Sequence, residues 1–338
     1  MLGMVEYPYY KMPWGLPTEE ITLSRSLQES GYSTCCIGKW HLGDLDRYLP
    51  NSRGFDHYFG VLHSNDVFPL RLYRNKQVVE KAPVDQQYLT GKYTQEAVNW
   101  IDQHKDGPFF LYFAHTFPHI PLYASPGFRG KSRGGLYGDT VEEIDWSAGE
   151  IMKALDRHGM SENTFIFFSS DNGAWFEGNA GIYRGRKGQT LDGGMRVPGI
   201  ARWPAHIPAG KVINEMSMNI DLFSTCLNMA GVRIPHDRPI DGKNMLSMLK
   251  GESSSPHDAL YFYHGRKLEA VRTPKWKYHR VHKGWAHLYS PLPKKPMLID
   301  LENDPNESYN VIDKYPEVAA KMEELMKNWE ADLVRGVP

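Results

Sequence analysis

Four short stretches of this 338-residue chain carry side chains whose types and spacing could do chemistry. The first is Gly38-Lys39-Trp40-His41-Leu42-Gly43, with a fixed cation at Lys39 and a titratable imidazole at His41. If the backbone stays extended, alternation puts Lys39 and His41 on one side and Trp40 on the other. Such a pair suits an anionic substrate, the lysine holding charge and the histidine giving a proton. The second, Ala114 to Pro121, holds His119 between two prolines that restrict the local backbone. The third, Ser169-Ser170-Asp171-Asn172-Gly173, offers a carboxylate and an amide oxygen, hard ligands for Ca²⁺ or Mg²⁺. Two ligands do not hold a cation, so others must come from elsewhere. The fourth, Tyr183-Arg184-Gly185-Arg186-Lys187-Gly188, sets Lys187 among glycines that permit close approach to an anion. Each has a plainer alternative. Lys39 and His41 are solvated loop residues, His119 packs on Phe117, Asp-Asn-Gly is a turn, and Arg184, Arg186 and Lys187 form a solvated patch.

Three of these stretches follow directly on a predicted strand: Tyr32–Ile37, Phe109–Phe113 and Thr164–Phe168. The last two are apolar on both faces, as central strands of a parallel sheet are. Ligands of open α/β sheets bind outside the carboxyl ends of the strands. Helices are predicted over Thr18–Ser30, Thr94–His104 and from Thr140, where Glu143 completes a capping box, to Gly159. Met195–Trp203 reads as a short strand, Asp221–Ala230 as a helix, and Arg71–Tyr73 as a short strand in an otherwise loop-rich 44–93. Strand and helix alternate, which implies an α/β domain with a mainly parallel sheet over residues 1–250. Glu252–Pro256 reads as a linker. Beyond it, strands at Leu260–Tyr263, Leu268–Arg272, Trp276–Arg280 and Met297–Leu301 and a helix from Pro316 make a smaller α+β subdomain over 257–338. Residues 1–17 read as irregular, and no internal repeat is visible.

A formal net charge of −1 argues against a nucleic-acid surface, which needs a basic excess. Three cysteines, Cys35, Cys36 and Cys226, are too few for a disulfide framework and read as small buried hydrophobes. No apolar run is long enough to span a bilayer, and Met1–Glu6 lacks the regions of a signal peptide. As written, the chain is expected to stay in the cytosol. Asn306-Glu307-Ser308 is a single glycosylation pattern of low specificity. Oligomeric state is not legible.

Taken in order, the landmarks resemble the sulfatase family, of the arylsulfatase type. They are Gly15-Leu16-Pro17, Gly38 to Gly43, Phe109 to Pro121, Tyr137-Gly138-Asp139 and Ser170-Asp171-Asn172-Gly173. Lys187-Gly188, Gly193-Gly194-Met195-Arg196-Val197-Pro198 and Asp300-Leu301-Glu302-Asn303-Asp304-Pro305 follow. The resemblance implies an alkaline-phosphatase-like α/β fold with a C-terminal four-stranded antiparallel sheet and helix. It also implies hydrolysis of small-molecule or glycan sulfate monoesters, and a secreted, lysosomal or periplasmic setting. Carried over by motif, Asp171 and Asn172 are metal ligands, usually for Ca²⁺, with Mg²⁺ the second candidate. Lys39 and Lys187 hold sulfate oxygens, and His119 protonates the leaving oxygen. His41 orients or deprotonates the nucleophile, and Ser64, in His63-Ser64-Asn65-Asp66, is a further polar contact.

The family nucleophile is a formylglycine made in a Cys-x-Pro-Ser-Arg motif, and an Asp-Asp pair completes its metal site. Neither occurs in this sequence. The sequence therefore reads as an N-terminally truncated member, lacking the first strand of the sheet. A phosphate-ester hydrolase on the same fold, with zinc held by His41, His119 and Asp171, is a second reading. A non-catalytic binder of sulfated ligands is a third.

Overall fold

The run Ser33–Lys39 pairs along both of its edges, which makes it the centre of a sheet. The computed structural model describes residues 11–280 and 295–335. Residues 1–10 of the stretch read as irregular lie outside them.

The described chain forms two compact units, one running to Thr164 with Met229–Val232, the other from Phe165 to Asn228 and from Arg233 onward. The boundary read near residue 250 falls within the second unit.

In the first unit α1 (Leu23–Glu29) begins one turn later than expected, because Thr22 and not Thr18 caps it, accepting from the Arg25 N–H at 3.1 Å. β1 (Ser33–Lys39) runs parallel to β2 (His57–Val61) and, after the antiparallel hairpin β3 (Leu72–Arg74) and β4 (Gln77–Glu80), α2 (Leu89–Gln103) leads to β5 (Phe109–Ala114), also parallel to β1. The sheet order is β4-β3-β2-β1-β5. α2 buries Leu89, Tyr93, Ala97 and Trp100, one helical face, against Cys35, Ile37, Phe59 and Val61. Each large side chain so buried contributes about 1.5–3 kcal/mol. α3 (Gly135–Arg157) starts a turn before Thr140, so the capping box is not formed. The Thr140 hydroxyl donates instead to the Leu136 and Tyr123 carbonyls, and the Glu143 carboxylate accepts from the Ser125 N–H. A buried hydroxyl pair, Thr94 with Ser147 at 2.6 Å, joins α2 to α3.

Where the three parallel strands end, side chains would not fit. Gly38 has φ +106°, and a Cβ there would stand 1.8 Å from the Ala114 carbonyl oxygen. A Cβ on Gly60 would stand 1.8 Å from the Gly38 carbonyl oxygen. Only glycine lets the backbones approach so closely.

The second unit opens with β6 (Ile166–Ser169). It was expected as a central parallel strand. Among the described residues it pairs only with β7 (Gly199–Arg202), antiparallel, after the short α4 (Asp192–Met195). An apolar run reports burial, not the identity of the strand beside it. α5 (Asp221–Met229) and α6 (Leu246–Lys250) precede β8 (Leu260–His264), β9 (Lys267–Arg272), β10 (Trp276–His279) and β11 (Met297–Asp300). These four form an antiparallel sheet in the order β11-β10-β9-β8. α7 (Pro316–Arg335) lays Ala319, Met322 and Met326 on Leu268, Val271, Tyr278 and Leu298. The α/β fold with a C-terminal antiparallel sheet and helix is therefore present, its larger sheet mixed rather than wholly parallel.

The interior of the second unit carries charge. Lys277 Nζ has no exposed side-chain surface and stands 2.6 Å from Asp192 Oδ1 and 3.0 Å from Glu307 Oε1. Arg272 Nη1 donates to Asp192 Oδ2 at 2.8 Å, and His279 Nε2 lies 3.0 Å from Glu307 Oε1. Burial pushes the Glu307 carboxyl up, but Lys277, His279 and the Asp192 N–H outweigh it and hold it at about 2, against an ordinary 4.5. A lowered carboxylate stabilises the fold fully above 4.5, and that contribution is lost as pH falls from 4.5 towards 2. Glu307→Gln is therefore expected to flatten the acid limb of urea-unfolding stability in that window. A limb as steep as the parent's would refute the assignment. Lys277→Met strands two buried carboxylates, and its unfolding free energy is expected to fall by about 3–5 kcal/mol.

Candidate active site

The backbone does not stay extended past Trp40. His41 takes φ +56°, in the left-handed region, so the simple alternation expected for Lys39 and His41 stops there. Trp40 is buried with Cys36, Phe55 and Tyr58, and its indole N–H donates to the Tyr48 carbonyl at 2.9 Å. The turn is pinned by backbone bonds. Trp40 and His41 N–H donate to Val61 and Leu62 carbonyls, each at 3.0 Å, and Leu16 N–H donates to Leu42 at 2.8 Å.

The segment after β2, His63-Ser64-Asn65, is buried beside this turn. The His41 and His63 rings meet edge to face at 6.2 Å, and His63 Nε2 stands 3.3 Å from Asp44 Oδ2. Ser64 Oγ lies 3.2 Å from His119 Nδ1 and 3.3 Å from its Nε2. His119 Nδ1 is also 2.6 Å from the Ile120 carbonyl and 3.1 Å from Asn65 Oδ1. A carbonyl only accepts, so Nδ1 carries the hydrogen and Nε2 is left to take or give a proton. Asn65 is held in turn by Gln86 and the Pro121 carbonyl, both at 3.0 Å. Thus Lys39, His41, Ser64 and His119 come together at the carboxyl ends of β1, β2 and β5. His63, Asn65 and the neighbouring charge of Asp66 belong to the same group. Sequence reasoning passed over His63 and Asn65 because β2 itself was read as loop.

Burial pushes the His41 imidazole down to about 3 from an ordinary 6.5, and the charge of Lys39 and the rings of His63 and His119 push the same way. His41 is therefore neutral near pH 7. His115, half-buried with its ring 4.3 Å from that of Phe113, is held down to about 4 by desolvation.

In the second unit, Asp171 and Asn172 follow β6 directly. Ser170 Oγ donates to the Asn172 carbonyl at 3.1 Å, and Asn219 Nδ2 to that of Ser170 at 2.9 Å. The Gly173 N–H donates to the Gly194 carbonyl at 2.9 Å, and that of Lys187 to Ala174 at 3.0 Å. The loop of Lys187 is thereby laid along that of Asp171 and Asn172. A Cβ on Gly173 would stand 2.1 Å from the Gly193 carbonyl oxygen, so the contact needs glycine. Asp171 and Asn172 suit a hard cation by donor type and fall short in number, since Ca²⁺ takes 6–8 oxygens. Among the described residues no group of three or more His, Cys, Asp or Glu side chains could hold a metal ion. Among them, too, no helix is long and apolar enough to cross a membrane.

A histidine pulled below its ordinary value stabilises the fold above 6.5, and that contribution is lost as pH falls from 6.5 towards 3. His41→Asn keeps a side chain that tolerates left-handed backbone. It is expected to lose stability less steeply than the parent between pH 6.5 and 4 in urea titrations. Parallel curves would show that His41 is not held neutral.

Residues 1–232 match the sulfatase family model, and residues 178–332 match that of the N-sulphoglucosamine sulphohydrolase C-terminal region. Mouse (Mus musculus) N-acetylgalactosamine-6-sulfatase is 35% identical over 372 residues, covering 96% of this chain and 71% of its own. Bovine (Bos taurus) arylsulfatase A is 33% identical, covering 94% and 71%. Among solved structures, Ps i-CgsB in complex with k-i-k-neocarrahexaose aligns with a TM-score of 0.82 at 29% identity, covering 96% of this chain and 77% of that one. The match runs through both units, and the chain belongs to the sulfatase family of sulfuric ester hydrolases.

Proposed function

We propose that this chain carries the sulfate-holding and proton-transfer groups of an arylsulfatase-type hydrolase of small-molecule or glycan sulfate monoesters. The observation that carries the reading is the gathering of Lys39, His41, Ser64 and His119 at the ends of three adjacent parallel strands. In the first unit, Lys39 holds a sulfate oxygen by fixed charge. As the S–O bond breaks, the electron pair passes to the leaving oxygen, and His119 Nε2 supplies its proton. The carbonyl acceptors at Nδ1 fix the hydrogen on that nitrogen and leave Nε2 as the proton-transfer end of the ring. His41, neutral at pH 7, orients the nucleophile or accepts its proton, and Ser64 fixes the His119 ring. In the second unit, Lys187 holds sulfate oxygens and meets the charge that builds as the bond breaks. Asp171 and Asn172 contribute two oxygens to a divalent cation, Ca²⁺ before Mg²⁺, and such an ion supplies Lewis acidity when bound.

The nucleophile of the reading is a formylglycine, and no cysteine here stands in the context that makes one. Cys35 and Cys36 are fully buried, and burial pushes their thiols far above the ordinary range and that of Cys226 up to about 12. This favours a second reading, retention of sulfated ligands without turnover.

Purified chain is expected to hydrolyse 4-nitrophenyl sulfate at the buffer rate while binding sulfate in a salt-sensitive way. Lys39→Ala or Lys187→Ala is expected to weaken that binding roughly tenfold, the value of a hydrogen bond to a charged group. Turnover well above buffer and abolished by Lys39→Ala would establish catalysis by these residues alone. Binding indifferent to both substitutions would remove the two lysines from their proposed roles.

A further inference from the structure

From Gly107 to Gly138 the chain holds no Asp or Glu, although its formal net charge as a whole is −1. The stretch covers β5 and the connection to α3, and its cations fall together near the end, Arg129, Lys131 and Arg133 at alternate positions. All three residues are exposed, and none is drawn into an ion pair among the described residues. Gly130 and Ser132 between them are small, so no bulky side chain separates one cation from the next. The main chain that carries them is anchored. Asp139, only 2% exposed, accepts from the Gly130, Lys131 and Ser132 N–H groups at 2.7, 3.0 and 2.8 Å. The buried Glu143 carboxylate accepts from the Ser125 N–H at 2.8 Å, and the Phe128 ring packs on that of Trp146 at 5.7 Å. Both carboxylates therefore bond the main chain of the loop, and Asp139 acts on the Arg129 charge only at longer range.

One solvated lysine or arginine is ordinary. Three on one anchored loop, with no acid among them, make a local positive field in a chain that has no overall excess. Because the loop is already held, a partner meets it without the cost of ordering main chain. A lone small anion gains little from exposed charges in water. A polymer with a charged group on each repeat gains from all three at once. Sulfate half-esters offer such groups, and guanidinium forks match paired oxygens. We propose that Arg129, Lys131 and Arg133 form a docking surface for a sulfated polysaccharide, outside the candidate active site. The β5–α3 connection that carries them also carries His119 nearer its start. The choice of a sulfated chain over a nucleic acid rests on the reading of this protein as acting on sulfate esters and on a net charge without basic excess. The surface itself rests on the loop alone.

The test uses the full 338-residue chain with dextran sulfate, unsulfated dextran, duplex DNA and inorganic sulfate, read by calorimetry at low salt. Dextran sulfate is expected to bind, unsulfated dextran not to, and the affinity to fall as salt rises. Joint replacement of Arg129→Gln, Lys131→Gln and Arg133→Gln is expected to weaken dextran sulfate roughly tenfold, the combined value of three exposed charge contacts. Inorganic sulfate binding is expected to stay unchanged in that variant. Arg129→Lys with Arg133→Lys keeps the charge and is expected to keep most of the binding. Lys314→Gln, Lys321→Gln and Lys327→Gln remove the same charge from exposed positions at and before α7, and are expected to change dextran sulfate binding little. A loop variant that binds like the parent, or loses no more than the α7 variant, would overturn the proposal. Duplex DNA held as tightly as dextran sulfate, and released by the same three loop substitutions, would overturn it too by making the surface a nucleic-acid one. Dextran sulfate held through the loop without any inorganic sulfate binding supports the surface and removes Lys39 and Lys187 from their roles. Inorganic sulfate bound with dextran sulfate no tighter does the reverse, and no binding by any probe overturns both.

Discussion

Lys277 is a full positive charge with no solvent exposure, and much of the second unit is arranged around making that tolerable. Two carboxylates face it, and each has further partners, Asp192 the Arg272 guanidinium and Glu307 the His279 ring and the Asp192 N–H. The network does more than neutralise itself. Arg184 donates to the Glu307 carbonyl at 3.0 Å, and Asp192 opens α4, whose glycines lie against the loops of Gly173 and Arg184. The segment that carries Lys187 is thus anchored at Asp192 to charges of the C-terminal sheet and at Arg184 to the Glu307 main chain. Replacing such a network with apolar side chains of equal volume is often neutral or stabilising elsewhere. Here it would also release the loop, and we take placement of that loop to be what the buried charges accomplish.

The first unit uses the opposite electrostatic strategy. Its imidazoles crowd one another beside a lysine, and burial with like charge keeps His41 neutral. His119, by contrast, has acceptors around one nitrogen. The two rings are thereby held differently, His41 by burial beside like charge and His119 by hydrogen bonds at one nitrogen.

Much of this was legible in the chain alone. The helical spacing of α3 and α7 and the strands of the C-terminal sheet were visible in the pattern, as were Lys39, His41 and His119. What escaped did so for physical reasons. In His57-Tyr58-Phe59-Gly60-Val61 neither alternation nor a continuous apolar run announces a strand, because His57 and Gly60 interrupt both patterns although both edges are paired. With β2 unseen, the loop of His63 and Asn65 did not register as lying at a strand end. Gln77 to Val79 in β4 are exposed and carry no burial signal at all. The partner of β6 was misjudged because Thr164–Phe168 looks alike in a parallel or an antiparallel setting.

The stacking of Gly60, Gly38 and Ala114 across three strands has a further consequence. Where side chains separate strands, the spacing at a sheet's end drifts whenever the core is repacked. Here the strand ends meet main chain to main chain, so the distance between the Lys39 turn and its flanking loops is set by peptide geometry. Core variation can then alter how long the fold survives heat without retuning the site. Thermal endurance and chemical competence are free to diverge independently in this unit.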